Sequence, residues 1–216
     1  MTIDAVSPWI DISHPVSPGA TPTWPGSPPV EFHKRLSMSC GDNADDTTIT
    51  MSVHTGTHID APGHFISGRE TADQIPLDVF MGPCAVVSCQ GVAVISAATL
   101  EAANIPSDVE RLLLKTDNGS KWSPDFDEEF VGVALDGARW IADRGIGLVG
   151  VDYLSVQPFR ESDDVHRTLL GAGTVVLEGL MLGHITPGKY ELLCLPLRLV
   201  GVEGAPARAL LRPYKL

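Results

Sequence analysis

Hydrophobic and polar residues alternate along this chain in short segments that are more often typical of strands than of helices. The strand-like segments are rich in β-branched and aliphatic side chains, and they are residues 30–36, 47–53, 84–89, 111–116, 146–151, 174–177 and 190–200. Helical spacing occurs at residues 96–103, 136–144 and 162–170. Asp136 is expected to cap the second helix and Gly145 to end it. Because strands and helices do not alternate regularly, we expect a mixed α/β fold with a barrel-like sheet and peripheral helices, not a doubly wound parallel sheet.

A proline-rich segment near the start interrupts this pattern. Residues 13–29 contain six prolines, which exclude a regular helix or a central strand. We expect an ordered surface loop that holds Trp24 on a stiff extended backbone. Trp24 could then cover a substrate, or it could pack the loop against the rest of the protein.

Length and composition favour one domain. The chain has 216 residues, of which 44% are hydrophobic, and this is enough for one core. No repeat or linker-like tract divides the sequence, so residues 1–216 are expected to form a single domain.

The acidic charge balance limits the possible partners. Asp and Glu number 27 against 15 Lys and Arg, for a net charge of −12, which disfavours nucleic acid and anionic membranes. No apolar run is long enough to span a bilayer and the start lacks a leader pattern, so we expect a cytoplasmic protein. The four cysteines form no C-x-x-C pair and are expected to be free and mostly buried thiols.

The candidate chemistry is concentrated in eleven consecutive positions. His54, His58, Asp60 and His64 are separated from one another by even numbers of residues. A helix would scatter this set around its axis. A strand would direct all of these side chains to one face, and we expect an extended segment that turns at residues 62–63 before His64.

Imidazole and carboxylate groups in this density indicate a metal site. An open site for zinc or a similar divalent ion needs only three protein ligands and a water, and His54, His58 and Asp60 suffice. The alternative is a set of hydrogen-bonded polar residues without metal, which is a less common reason for such clustering. A helical H-E-x-x-H site is excluded because no Glu follows His54.

A second pair of candidate ligands lies far downstream. His166 falls within the third expected helix, and Glu178 ends an apolar strand. An acid at the end of a buried strand is costly unless a cation or hydrogen bonds accompany it. Taken alone, however, His166 is as readily a helix-surface histidine and Glu178 a solvated strand end, while Asp152 is a candidate structural acid.

The first motif resembles the signature of a metal-dependent cyclase family of hydrolases, which includes bacterial kynurenine formamidase and isatin hydrolase. The pattern that carries the resemblance is His54-x-Gly-Thr-His58-x-Asp60-x-Pro62-x-His64. Similar segments follow in the family's order over nearly the whole chain, at residues 9–13, 21–26, 166–170, 176–180, 188–192, 195–197 and 206–208.

The resemblance implies a swivelling β/β/α fold, a homodimer or higher homo-oligomer, and a role for each candidate residue. It assigns His54 and His58 to one metal ion, His166 to a second, Asp60 and Glu178 to both, His64 to proton transfer and Trp24 to the substrate. Two zinc ions are expected, with manganese as the alternative. The neighbours of these positions depart from the formamidase pattern, for instance at Ile59, Phe65 and Val165, so the candidate catalytic residues are kept while the pocket around them differs.

The resulting hypothesis is hydrolysis of an amide C–N bond in a small aromatic molecule by metal-activated hydroxide, with His64 as the proton shuttle. The first candidate substrate is N-formyl-L-kynurenine, which would yield L-kynurenine and formate. Opening of a cyclic amide, imide or lactone, as in isatin hydrolase, is the alternative reaction. A metal-stabilised binding protein without turnover is the non-enzymatic alternative.

Overall fold

The computed structural model describes residues 9–214, which form ten strands and three α-helices. The strands are β1 Ile10–Asp11, β2 Glu31–Leu36, β3 Asp46–Thr50, β4 His58–Asp60, β5 Met81–Ser88, β6 Arg111–Lys115, β7 Leu148–Val151, β8 Val175–Glu178, β9 Gly188–Pro196 and β10 Gly204–Pro213. The helices are α1 Ala97–Ala102, α2 Leu135–Asp143 and α3 Asp164–Gly171.

Eight of the strands form one mixed sheet that closes on itself. Its order is β1-β10-β4-β8-β7-β6-β5-β9, and β9 also pairs with β10, so seven strands close a barrel and β1 adds to β10. The pairs β5–β6, β6–β7 and β7–β8 are parallel, and the others are antiparallel. This closed mixed sheet with few helices confirms the expected fold class.

Both faces of the parallel strands are buried. On β6, Leu113 belongs to a core inside the barrel, while Leu112 and Leu114 belong to a second core that includes Ile141 of α2 and Leu169 of α3. Burial on both faces explains why these strands appear in the sequence as nearly continuous apolar runs. The three helices therefore cover one side of the barrel.

The expected boundaries are wrong in several places. Helix α2 begins at Leu135 with Ala134 before it, and Asp136 lies in the first turn, where its side chain accepts from the Ala97 and Gly137 amides. Strand β9 ends at Pro196 instead of continuing to residue 200. Strand β10 was not expected, since two prolines and two arginines obscure its apolar alternation.

The hairpin of β2 and β3 forms a separate two-stranded sheet that projects from the barrel. All of its strand residues except Asp46 are exposed. Phe32 and Ile49 are directly opposite each other on one face and are 43% and 55% exposed.

Two further expectations can be compared with the described residues. Cys84, Cys89 and Cys194 are buried free thiols and Cys40 is an exposed one, as expected. None of the helices within residues 9–214 combines the length and hydropathy that crossing a bilayer requires.

Candidate metal centre

Strands β4 and β8 place three candidate ligands side by side. His58 is paired with Glu178 in the antiparallel ladder, and Asp60 lies two residues further on the same face of β4. Ile59 between them points into the barrel core, so His58 and Asp60 point outwards, towards α3. The His58 Nε2 atom is 3.3 Å from Glu178 Oε2 and 3.6 Å from Asp60 Oδ1. All three side chains are at most 4% exposed.

The remaining residues of the motif do not share this strand: the expected extended segment does not include His54, whereas the expected turn at residues 62–63 before His64 is present. Gly56 has a φ of +63° and turns the chain before β4, which brings His54 back so that its Nδ1 lies 2.8 Å from Asp60 Oδ1. His64 ends a 3-10 turn at Pro62–His64. Its ring stacks on His54 with the centroids 4.1 Å apart.

Tight backbone packing holds this turn beside β8. A Cβ atom at Gly179 would lie 2.1 Å from the Gly56 carbonyl oxygen. Only glycine at position 179 therefore allows the backbones of the two segments to lie this close together. The Thr57 hydroxyl also donates to the Gly179 carbonyl oxygen at 2.6 Å. The two ligand-bearing segments are therefore fixed to each other at their ends.

Helix α3 supplies the fourth side of the cluster. His166 is 4% exposed, and its Nε2 lies 3.2 Å from Glu178 Oε1 and 3.6 Å from Asp60 Oδ2. The structure thus buries His166 and Glu178 in one cluster, and the alternative of a surface histidine and a solvated strand end is wrong.

The cluster leaves buried polar atoms without hydrogen-bond partners. These atoms are His54 Nε2, His58 Nε2 and Asp60 Oδ2. The His58 Nδ1–H donates to the Gly56 carbonyl oxygen at 2.9 Å, so the ring presents its Nε2 atom to the carboxylates of Asp60 and Glu178. A neutral imidazole nitrogen and a carboxylate oxygen are both acceptors, and a cation between such buried atoms offsets the cost of burying them. His58, Asp60 and Glu178 have ligand atoms within 4.8 Å of one another, as do His54, Asp60 and His64, and this donor set fits a divalent metal.

The charges of the cluster stabilise one another despite burial. Burial alone would raise the pKa values of Asp60 and Glu178, but the neighbouring imidazoles outweigh burial and lower both. Burial alone would lower the pKa values of the histidines, but Asp60 raises that of His54 to about 9, and Glu178 raises that of His166. Both carboxylates are therefore anionic at neutral pH.

His64 differs from the other histidines. Burial lowers its pKa below the ordinary value, an effect that the nearby Asp60 opposes but does not cancel. Its ring is consequently neutral at neutral pH, as a proton acceptor must be.

A cavity of about 290 Å³ opens above the cluster. Its wall includes all seven residues that the sequence singled out, namely Trp24, His54, His58, Asp60, His64, His166 and Glu178. Phe65, Leu154 and Gln157 complete much of the wall, and the Phe65 ring stacks on His166 with the centroids 4.4 Å apart. The cavity could thus accept a small planar molecule beside the ligand cluster.

The position of Trp24 is compatible with both expected roles, covering a substrate and packing the proline-rich loop against the rest of the protein. It lines the cavity, but its ring also meets Phe126 and Phe159 edge-on with centroids 5.3 Å away, and Phe130 at 6.5 Å. The proline-rich loop is therefore held to the protein by the same side chain that faces the cavity.

Sequence reasoning missed several residues that contact the cluster. Gln157 accepts from His166, and Glu203 Oε1 lies 3.4 Å from His54 Nε2. A Cβ atom at Gly204 would lie 2.6 Å from His54 Cε1. These residues are far from the motif along the chain. Recognition of β10 as a strand was the one sequence signal that could have placed Glu203 and Gly204 near His54. Asp152 is buried away from the cavity and accepts from the Thr116 amide and hydroxyl, so it is structural as expected.

Comparison with known proteins agrees with this geometry. The Cyclase family model matches residues 10–158. Cyclase-like protein 3 of Arabidopsis thaliana is 40% identical over 213 residues, covering 93% of this chain and 78% of that protein. Kynurenine formamidase of Bacillus cereus is 36% identical over 208 residues, covering 96% of this chain and 98% of that protein.

Two solved structures extend the comparison. A potential metal-dependent hydrolase with cyclase activity superposes with a TM-score of 0.84 at 34% identity, covering 96% of this chain and 98% of that one. Isatin hydrolase A from Labrenzia aggregata, bound to benzyl benzoate, has the same fold, with a TM-score of 0.78 at 22% identity, covering 95% and 94% of the two chains. This chain belongs to the cyclase family.

Proposed function

We propose that this protein is a metal-dependent amide hydrolase that converts N-formyl-L-kynurenine to L-kynurenine and formate. The observation that carries this proposal is the buried cluster of His58, Asp60, Glu178 and His166, with unpartnered acceptors directed at a cavity that has aromatic walls. The similarity to kynurenine formamidase over nearly the full length of both chains supports the choice of substrate.

Five residues would hold the metal. His54 and His58 would bind one ion and His166 a second, while Asp60 and Glu178 would bind both. The contacts of Asp60 with all three histidines and of Glu178 with His58 and His166 support this arrangement. Zinc is the favoured ion because imidazole and carboxylate suit it, and manganese is the alternative.

A bound divalent ion would lower the pKa of water and polarise the substrate carbonyl group. His64 would carry the proton. Its half-buried ring lines the cavity beside His54 and is neutral at neutral pH, so it can take a proton from water as the water adds to the formyl carbon. When the C–N bond breaks, His64 returns that proton to the leaving nitrogen, which leaves formate and the free aryl amine.

Trp24 and Phe65 would contact the aromatic ring of the substrate. Both line the cavity, and the Phe65 ring stacks on that of His166. A ring stacked or edge-on against another ring gains roughly 0.5 to 1.5 kcal/mol beyond the burial of its area. This contribution would favour aryl amides over aliphatic ones.

We also propose that the protein is a homodimer. The exposed pair of Phe32 and Ile49 on the projecting hairpin supports association with a second copy.

The cytoplasmic location and the single-domain organisation stay predictions from the sequence.

The decisive test compares substrates on protein stripped of metal and then reloaded separately with zinc and with manganese. We expect metal-dependent hydrolysis of N-formyl-L-kynurenine with kcat/KM above about 10⁴ M⁻¹s⁻¹. Preference for isatin would replace the proposed reaction with opening of a cyclic amide. Full metal occupancy without hydrolysis of either compound would contradict both of these reactions, leave the assignment of the metal site standing and redirect the search to other small amides, esters and lactones.

A further inference from the structure

The segment of residues 155–157 contacts two of the proposed metal ligands from behind, although it belongs to neither ligand-bearing element. It follows β7 and precedes α3, and Ser155, Val156 and Gln157 are 4%, 0% and 6% exposed. The Val133 amide donates to the Val156 carbonyl oxygen at 2.7 Å, which ties the segment to the neighbouring backbone. The segment is therefore a buried and fixed support.

Gln157 determines which nitrogen of His166 carries the proton. The His166 Nδ1–H donates to the Gln157 side-chain oxygen at 3.1 Å, and an amide oxygen can only accept. A histidine that binds a metal is neutral and has one N–H, so in the metal-bound state this hydrogen bond leaves the lone pair on Nε2. That atom faces Glu178 Oε1 at 3.2 Å and Asp60 Oδ2 at 3.6 Å, where a metal ligand is required.

Val156 orients Glu178, the second proposed ligand that this segment contacts. Its backbone amide donates to Glu178 Oε1 at 2.7 Å, and Glu178 Oε2 then faces His58 Nε2 at 3.3 Å. Gln157 and Val156 are adjacent, so one rigid dipeptide orients both a histidine and a carboxylate ligand. Outer groups that orient a metal ligand commonly change metal affinity by about 10- to 100-fold when they are removed.

We propose that Gln157 is a positioning residue that selects the metal-binding tautomer of His166 and thereby sets the affinity for the ion at the His166–Glu178 side. The inference rests on the proposed role of His166 as a ligand. It adds a dependence on one amide side chain that neither metal motif contains.

The test measures zinc affinity directly, by competition with a chromophoric chelator, on metal-free wild-type protein and three variants. Gln157→Leu removes the acceptor at similar volume, and Gln157→Glu keeps an acceptor oxygen. The control is Gln90→Leu, the same substitution at an exposed glutamine whose side chain bonds to Asp117. Nitrogen NMR of the zinc-loaded wild-type imidazoles reports independently on the protonated nitrogen of His166.

For Gln157→Leu we expect one bound zinc to be weakened about 10- to 100-fold. The zinc affinity of Gln157→Glu should stay within about threefold of the wild-type value, because this variant keeps an acceptor for the His166 Nδ1–H. The zinc affinity of Gln90→Leu should equal that of wild type. The NMR spectrum should show the His166 proton on Nδ1, and this reading does not depend on whether Gln157→Leu folds.

Unchanged zinc affinity in a folded Gln157→Leu protein would overturn the proposal. A proton on Nε2 of His166, or an equal loss of affinity in both Gln157 variants, would also overturn it. These results differ from a failure of the proposed function, in which wild-type protein binds zinc and shows the expected tautomer but hydrolyses no amide.

Discussion

The two walls of the cavity are built differently. The inner wall consists of His58, Asp60 and Glu178, which are buried side chains on paired strands with their positions set by backbone register. The outer wall consists of Trp24 and Phe65, which lie on loops and are held by ring contacts. Because strand register fixes the positions of the inner-wall side chains, we expect few other residues to be accepted there. Ring packing at the outer wall should tolerate other apolar side chains of similar size. We therefore expect the inner wall to determine the chemistry and the outer wall to determine the choice of substrate.

Breaking the inner wall should have the largest effect. His58→Ala removes the ligand between Asp60 and Glu178 and leaves their buried charges unpaired. We expect loss of bound metal and a fall in kcat/KM of roughly 10³-fold or more, since a metal supplies several kcal/mol of transition-state stabilisation. Metal analysis and steady-state kinetics check this. The control His33→Ala, on the exposed hairpin, should behave as wild type, and full metal content in His58→Ala would refute the ligand assignment.

His64→Ala separates metal binding from proton transfer. We expect metal content to be unchanged and kcat to fall about 10²- to 10⁴-fold, as for the loss of a general acid–base group. Metal analysis beside single-turnover kinetics checks this. Because His64 also lies within ligand reach of His54 and Asp60, loss of metal in this variant would instead make His64 a ligand.

Changing the outer wall should alter substrate binding and stability with little change in chemistry. Trp24→Ala should raise KM several-fold and destabilise the protein by about 2 kcal/mol, because three ring contacts are lost together with the cavity wall. Thermal melting and KM are measured on the same samples. The control Phe126→Leu disturbs the same aromatic cluster without lining the cavity, so it should lower Tm and leave KM unchanged. Equal KM changes in both variants would argue against a substrate contact by Trp24.

The smallest expected effect concerns pH and metal-free protein. The pKa of His54 is raised to about 9 in the folded state, above its ordinary value of about 6.5. This shift stabilises the fold fully below about pH 6.5, and the stabilisation is lost as pH rises through about 9. Tm of the metal-free protein should therefore fall over this range, and the fall should be smaller for His54→Gln. Parallel curves for the two proteins would contradict the Asp60–His54 interaction.

Much of this site could be predicted from the sequence, because its ligands are close together along the chain. The alternation of His58, Ile59 and Asp60 correctly predicts that the two candidate ligands face outwards around a core residue. The expectation failed at His54, since Gly56 adopts a left-handed backbone conformation that the spacing of histidines does not reveal. His166 and Glu178 were candidates from the cost of a buried acid at a strand end, and the family resemblance then assigned both of them to the metal site.

The parts that could not be predicted depend on long-range pairing. Gln157 and Glu203 reach the cluster because the sheet pairs β7 with β8 and β10 with β4, although these strands are far apart along the chain. Strand β10 was missed because its prolines and arginines obscure the alternation that its pairing with β9 restores. A single sequence carries local periodicity but not the register between distant strands.

The measurement that tests the metal centre most directly is anomalous diffraction at the absorption edge of zinc or manganese, on crystals grown from protein reloaded with that ion. We predict strong peaks surrounded by His54, His58, Asp60, His166 and Glu178, with His64 outside the coordination shell. The absence of a peak at this cluster in fully loaded, folded protein, or peaks only at other residues, would contradict the assignment of the buried inner wall as the metal centre.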